Sequence, residues 1–336
     1  MYQLSPNIEL LFTEAGADPA ARVRAAAAAG FDAVEMWGTL DKDVNALAKA
    51  LSDSGVALTS VLAEPRTNFT LPGTDLGPFF DGLERGVENA RLLGVPRIVL
   101  GSGVGFPGAK RAQNLDRLAE VYSQAVERTR GSGVKLILEP VNTRVDHPGA
   151  LLDRTADAVA VARAVNSASF GILYDLYHSV TEGEDPAAEL AAAGDLVDYV
   201  QIADAPGRGQ PGSGVIDWPA SLAVLRAAGY AGPIGLEYFP TLESAESLQL
   251  IKSAAATASR CSCRPWTSPP SRRRSRTRSA RRSISCPSLR NLMRTTRTPS
   301  ARRRVWPERP GGRSRGPAGS PHGPFPTSPS PRTSRS

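Results

Sequence analysis

From residue 7 to about residue 255, short apolar runs alternate with longer stretches in which apolar residues recur every three or four positions. A short run bounded by glycine, proline or aspartate reads as a strand. A longer alanine- or leucine-rich segment closed by glycine reads as a helix. On that basis Asn7–Phe12 is the first apolar run, followed by a helix over Pro19–Ala29 that Gly30 closes. Strands are predicted at Ala33–Met36, Ala57–Leu62, Arg97–Leu100, Val134–Leu138, Phe170–Tyr174, Val197–Gln201 and Pro233–Glu237. Helices fall between them at Val44–Leu51, Phe79–Leu93, Gln113–Arg130, Ala156–Val165, Ala187–Ala193 and Pro219–Ala228, with a last one at Glu243–Ala255. Eight strand–helix units over residues 1 to about 256 predict an α/β chain folded as a (β/α)₈ TIM barrel, in preference to an open doubly wound sheet.

The run KLILEPVN is the most informative single stretch. Leu136, Ile137 and Leu138 offer no polar side to water, so they predict a strand buried on both faces. Pro140 cannot donate to a ladder, so the strand finishes there and leaves Glu139 at its C-terminal end. The other strands end alike, at Glu35, Asp175, Gln201 and Glu237. In a closed barrel such side chains converge on one mouth. Oxygen-bearing groups from strands five to eight, Glu139, Asp175, Gln201 and Glu237, joined by His178, make a hard-cation site suited to Mg²⁺ or Mn²⁺. Taken singly, each is as readily a helix cap or a loop residue.

Composition divides the chain. From Ala254 to Ser336 there are 20 arginines, no lysine and one acidic residue, Glu308. The preceding residues carry 20 basic and 32 acidic groups. All three cysteines lie in the basic part, so the body has neither disulfides nor thiolate metal sites. No stretch approaches a membrane span, and MYQLSPNIEL lacks the basic and apolar regions of a signal peptide. A cytoplasmic protein without a membrane partner is expected.

The segments FDAVEMWG, LEPVNTRVDHPG, YDLYHSVTEGE, VQIADAPGRGQPGSGVIDW and GLEYFPT occur in the order and spacing of hydroxypyruvate isomerase-like proteins, which belong to the xylose isomerase-like TIM barrels, a superfamily of sugar phosphate isomerases and epimerases. The resemblance runs from about Asn7 to Lys252. It implies that Glu139 and Glu237 are the catalytic carboxylates and that they hold a divalent metal with Asp175 and Gln201. It also implies that His178 and Arg208 face the substrate, a small hydroxy-carbonyl acid or sugar. The chemistry is coherent: interconverting a hydroxyaldehyde and a hydroxyketone removes a weakly acidic proton α to a carbonyl, and a cation on both oxygens stabilises the enediolate. Arg208, in a loop with Pro206, Gly207 and Gly209, is suited to clamp a substrate carboxylate. His147 is read as a polar loop residue, Trp37 and Phe69 as either pocket wall or core, and Glu35 and Glu64 as mouth-lining or paired with loop cations. GSGVG at 101–105 lacks the third glycine and the following acid of a dinucleotide fingerprint.

The chain departs from the hydroxypyruvate isomerase pattern after the third strand, where VLAEPRTNFTLPG replaces a longer GDW-containing segment. Ketose 3-epimerisation and 2-oxo-tetronate isomerisation use the same machinery and stand as alternatives, and a non-catalytic sugar binder is opposed by the intact Glu139/Glu237 pair. A clustered-zinc endonuclease fits poorly, with only His147 and His178 in the body. Residues 257–336, rich in Arg, Ser and Pro, predict a disordered tail. Its arginines suit nucleic acid or anionic surfaces. The abrupt loss of Lys and Asp favours instead an out-of-frame product beginning near Ala255, which makes a nucleic-acid partner unlikely. Self-association of the barrel is a further expectation of the resemblance, with no interface specified.

Overall fold

The structure is a computed structural model that describes residues 2–260. Its strands are β1 (Leu4–Pro6), β2 (Ala33–Val34), β3 (Ala57–Leu58), β4 (Val61–Leu62), β5 (Arg97–Gly101), β6 (Lys135–Glu139), β7 (Phe170–Asp175), β8 (Val197–Ile202) and β9 (Ile234–Leu236). The helices are α1 (Pro19–Ala28), α2 (Val44–Ser54), α3 (Gly77–Leu93), α4 (Arg111–Arg128), α5 (Thr155–Val165), α6 (Leu176–Glu182), α7 (Pro186–Ala193), α8 (Trp218–Ala227), α9 (Ser244–Ser247) and α10 (Gln249–Arg260). Every ladder is parallel. Seven strands follow the order β1-β9-β8-β7-β6-β5-β4, and β2 pairs with β3. The ring closes where the Glu35 amide donates to the Pro6 carbonyl (3.0 Å) and the Ile8 amide to the Glu35 carbonyl (2.9 Å). β3 and β4 are two pieces of one barrel strand, interrupted at Thr59 and Ser60. The fold is the TIM barrel that the alternation predicts.

Strand alternation then decides which residues reach the mouth. Val99, Ile137, Leu173 and Tyr199 form a small cluster of their own inside the barrel, while Leu136, Leu138, Tyr174 and Val200 join the larger core between strands and helices. Two residues beyond the inward set lie Glu139, Asp175 and Gln201, so they point inward as well, at the C-terminal rim. Gly235 belongs to the same lining: a Cβ there would sit 2.3 Å from Glu35 Oε2 and 2.8 Å from Gln201 Cγ. Its missing side chain gives the buried Glu35 carboxylate its space.

Besides the split of the predicted strand Ala57–Leu62, three elements differ from the sequence reading. The first strand is Leu4–Pro6, upstream of the apolar run 7–12, which coils into turns; β1 turns polar Ser5 inward, and the run's leucines pack as loop anchors. A short helix, α6, follows directly on β7 and was hidden within YDLYHSVTEGE. The last helix is divided at Leu248, and α10 continues without a break to Arg260, past the expected boundary at 256. The arginine-rich tail lies outside the described residues, and so do the readings attached to it. Among the described residues no helix is long and apolar enough to cross a membrane.

Candidate active site

The barrel mouth opens into a cavity of about 650 Å³. Its walls include Glu139, Gln201, Glu237, His178 and Arg208, with Trp37, Arg66, Phe69 and His147 around them. Among the described residues no lysine or cysteine lines it. Asp175 sits immediately behind His178 in a small adjoining recess.

Asp175 performs two tasks with its two oxygens. Oδ1 caps α6, accepting from the amides of Tyr177 (2.7 Å) and His178 (3.2 Å). That fixes the carboxylate and turns Oδ2, buried and without a hydrogen-bond partner, toward the site. The helix cap and a group facing the site, alternatives in sequence, are both present in this one residue. Gln201 is oriented in a comparable way: its Nε2 donates to Glu35 Oε1 (2.9 Å), so Oε1 is left buried and unpartnered. Glu35 itself lies beneath the mouth, with Tyr199 (2.6 Å), Asn7 (3.3 Å) and Ser60 (3.3 Å) also donating to it. It is no partner of a loop cation. Burial, then the charge of Glu237, pushes its carboxyl up to about 8 against the pull of those donors.

The two glutamates differ sharply. Glu237 accepts from Trp37 Nε1 at 2.8 Å on one oxygen and from Arg208 Nη2 at 3.0 Å on the other. Glu139 accepts no hydrogen bond among the described residues. Burial, then the charges of Glu237 and Asp175, holds its carboxyl well above the usual carboxylate range. Asp175 is raised as well, chiefly by burial. His178 is pushed down to about 3, by burial and then by the Arg208 charge. Its Nε2 lies 3.7 Å from both Glu139 Oε1 and Asp175 Oδ2, too far for a hydrogen bond, and is itself unpartnered. Polar atoms of Glu139, Asp175 and His178 lie within 4.8 Å of one another, a spacing that suits a metal ion.

Arg208 lines the cavity and pairs with Glu237. Its side chain is 12% exposed and its Nη2 is committed to Glu237, which leaves Nε as a buried donor without a partner among the described residues. A left-handed backbone (φ 52°) aims it inward, an uncommon conformation for a side chain of this size. The loop is held by Asp204, whose carboxylate accepts from the amides of Ala205, Gly212 and Ile216 and from Trp218 Nε1. Sequence reasoning missed Asp204, although its place inside QIADAPGR was a signal. Trp37 is a pocket wall and a donor to Glu237. Phe69 does both of its proposed jobs, lining the cavity while packing on Phe79 and Tyr122. His147 also lines the cavity, its ring 5.3 Å from that of His178, whereas Glu64 accepts the Leu40 amide (3.1 Å).

Comparison with known proteins agrees with this geometry. Residues 23–254 match the family model described as xylose isomerase-like TIM barrel. A putative hydroxypyruvate isomerase of Homo sapiens is 31% identical over 263 residues, covering 75% of this chain and 94% of that protein. A 2-oxo-tetronate isomerase of Cupriavidus necator is 31% identical over 261 residues, covering 75% and 98%. The crystal structure of an AP endonuclease, family 2, from Brucella melitensis superposes with a TM-score of 0.69 at 25% identity, covering 75% of this chain and 99% of that one. A family match spanning most of the chain, on a closed parallel barrel with carboxylates at its C-terminal rim, places this protein in the xylose isomerase-like TIM barrel family.

Proposed function

We propose that the protein interconverts a small hydroxyaldehyde and hydroxyketone, of the hydroxypyruvate/tartronate semialdehyde type, by proton transfer through an enediolate. The observation that carries this is the sorting of unpartnered atoms at the mouth. Buried acceptors without donors, Asp175 Oδ2 and Gln201 Oε1, converge with the bare carboxylate of Glu139. Unmatched buried acceptors are costly unless a cation meets them. The set is oxygen-rich and fits Mg²⁺ or Mn²⁺, with Glu139, Asp175, Gln201 and Glu237 as the residues that would hold it. When bound, such a cation acts as a Lewis acid that draws charge from adjacent carbonyl and hydroxyl oxygens.

The chain's own groups supply the rest. Glu139 has free oxygens and a carboxyl raised by burial and then by the charges of Glu237 and Asp175, so it is suited to exchange a proton with carbon. Glu237 directly follows β9, across the mouth from β6, and is held in place by Trp37 and Arg208. It carries or returns the proton on the neighbouring carbon. The Arg208 Nε–H is a preorganised donor for a substrate oxygen on which charge develops. Trp37 and Phe69 wall the site and keep water from the enediolate.

The test is solvent exchange in D₂O with Mg²⁺ or Mn²⁺ and a panel of hydroxypyruvate, tartronate semialdehyde, 2-oxo-tetronate and simple ketoses. Deuterium at a carbon α to a carbonyl, lost in Glu139→Gln and Glu237→Gln, is the expected result. The responding compound separates isomerase from ketose epimerase. A folded, metal-loaded protein that exchanges no member of the panel would overturn the proposal.

A further inference from the structure

Asn142, the last residue of the EPVN motif, has no part in the chemistry above, yet it contacts His178 twice. Its backbone amide donates to His178 Nδ1 at 3.2 Å, and its side-chain Nδ2 lies 2.6 Å from the same nitrogen. The orientation of the Asn142 side chain is determined by its surroundings. Oδ1 accepts from the amides of Val145 and Asp146 (both 3.0 Å), and Nδ2 donates to Asp146 Oδ2 (2.6 Å). A flipped amide would set two N–H groups against the NH₂ and an oxygen against the Asp146 carboxylate. Both Asn142 groups facing Nδ1 are therefore donors, and Nδ1 must be a bare acceptor. A proton on Nδ1 would meet the backbone N–H head-on.

We propose that Asn142 is a positioning residue that locks His178 in the Nε2–H tautomer, so that the imidazole serves the cavity as a hydrogen-bond donor and is withheld from the metal. The spacing of Glu139, Asp175 and His178 alone would admit the histidine as a third ligand. Its hydrogen bonding decides otherwise, because a protonated Nε2 has no lone pair to give. The cation is left to oxygen ligands. The unpartnered Nε2–H, poised between Glu139 and Asp175, is left for a substrate oxygen. Asp146 anchors the device, accepting from Asn142 and from the Tyr177 hydroxyl (2.7 Å).

The tautomer follows from geometry, and only its catalytic use rests on the isomerase reading. The experiment is long-range ¹H–¹⁵N correlation on the full chain labelled in its three histidines, with His147→Gln and His322→Gln for assignment. The expected spectrum shows His178 Nδ1 in the range of a bare nitrogen and Nε2 in that of a protonated one, both unchanged at saturating Mg²⁺. A protonated Nδ1, or an Nε2 that loses its proton on metal loading, overturns the proposal even in an active enzyme; an inactive enzyme with the expected spectrum overturns only the isomerase reading. In Asn142→Asp a carboxylate acceptor faces Nδ1. A shift of Nδ1 into the protonated range, with kcat down about 10–100-fold and Mg²⁺ affinity little changed, supports the assignment. A folded Asn142→Asp protein with an unshifted Nδ1 would place the lock in the backbone amide alone and overturn the positioning role of the Asn142 side chain. If this variant does not fold, the wild-type spectra decide.

Discussion

Replacing Glu139 by glutamine should stabilise the metal-free protein while abolishing its chemistry. The site gathers Glu139, Asp175 and Glu237 around one guanidinium, with polar atoms of the first two no more than 4.8 Å apart. At an effective dielectric of about 20, two like charges at that distance repel by roughly 3.5 kcal/mol. The Arg208 charge and water return part of this, leaving a net penalty of about 2 kcal/mol. The sign follows from linkage. The folded-state carboxyl of Glu139 lies above its unfolded value, so the unfolded chain releases its proton first as pH rises. Stability is therefore lost progressively from about pH 4.3, the unfolded value, up through the folded one. Thermal melts in EDTA should show Glu139→Gln unfolding about 4–8 °C above wild type near pH 8, with the gap narrowing toward about pH 5. Saturating Mg²⁺ should reverse the order, because wild type keeps the full ligand set and gains binding energy that the variant lacks. A variant melting at or below wild type in EDTA near pH 8 would refute the reasoning, since the carboxylate would then be a stabilising group and no strained one.

Three further perturbations probe other parts of the molecule. At the opposite end of β8, Asp198 accepts from Arg97 Nε (2.7 Å) and Lys135 Nζ (2.8 Å), which hold its carboxyl below the usual range despite burial. Asp198→Asn should cost about 2 kcal/mol in denaturant titrations above about pH 4 and progressively less as pH falls through the depressed folded value. Its kcat should be unchanged, because the residue lies far below the mouth; a penalty persisting at about pH 2 would assign the effect to packing. Gly235→Ala forces a Cβ to 2.3 Å from Glu35 Oε2, so a loss of about 1–3 kcal/mol is expected, together with weaker Mn²⁺ binding by electron paramagnetic resonance as Gln201 is displaced. Unaltered stability and affinity would show that the barrel interior relaxes. Trp37→Phe keeps the wall but removes the donor to Glu237 Oε1. It should lower kcat about tenfold with a melting temperature within a few degrees of wild type, and an undiminished kcat would show that Arg208 alone suffices to hold Glu237.

Much of the barrel is legible from near neighbours in the chain. Leu136–Leu138 announce a buried strand, Pro140 its end, and Gly55 and Gly94 the helix stops, because each depends on periodicity or backbone freedom within a few residues. The split of β3 from β4 and the true position of β1 were not legible. Polar Ser5, Thr59 and Ser60 inside the barrel break the apolar pattern that marks a strand, and they are tolerated there because Tyr199, Thr59 and Glu35 bond with them.

At the site, the strand-end positions of Glu139, Asp175, Gln201 and Glu237 were set by the sequence alone, since alternation and strand termination are local properties. What each of these groups does was decided by closure of the ring. Trp37 reaches Glu237 across 200 residues, Gln201 reaches Glu35 across 166, and Asn142 reaches His178 from the next barrel unit. Those contacts paired Arg208 with Glu237 and left Glu139 without a hydrogen bond among the described residues. No one-dimensional pattern records them, because charge pairing and hydrogen bonding depend on distance in space, and only the tertiary fold brings these side chains within reach of one another.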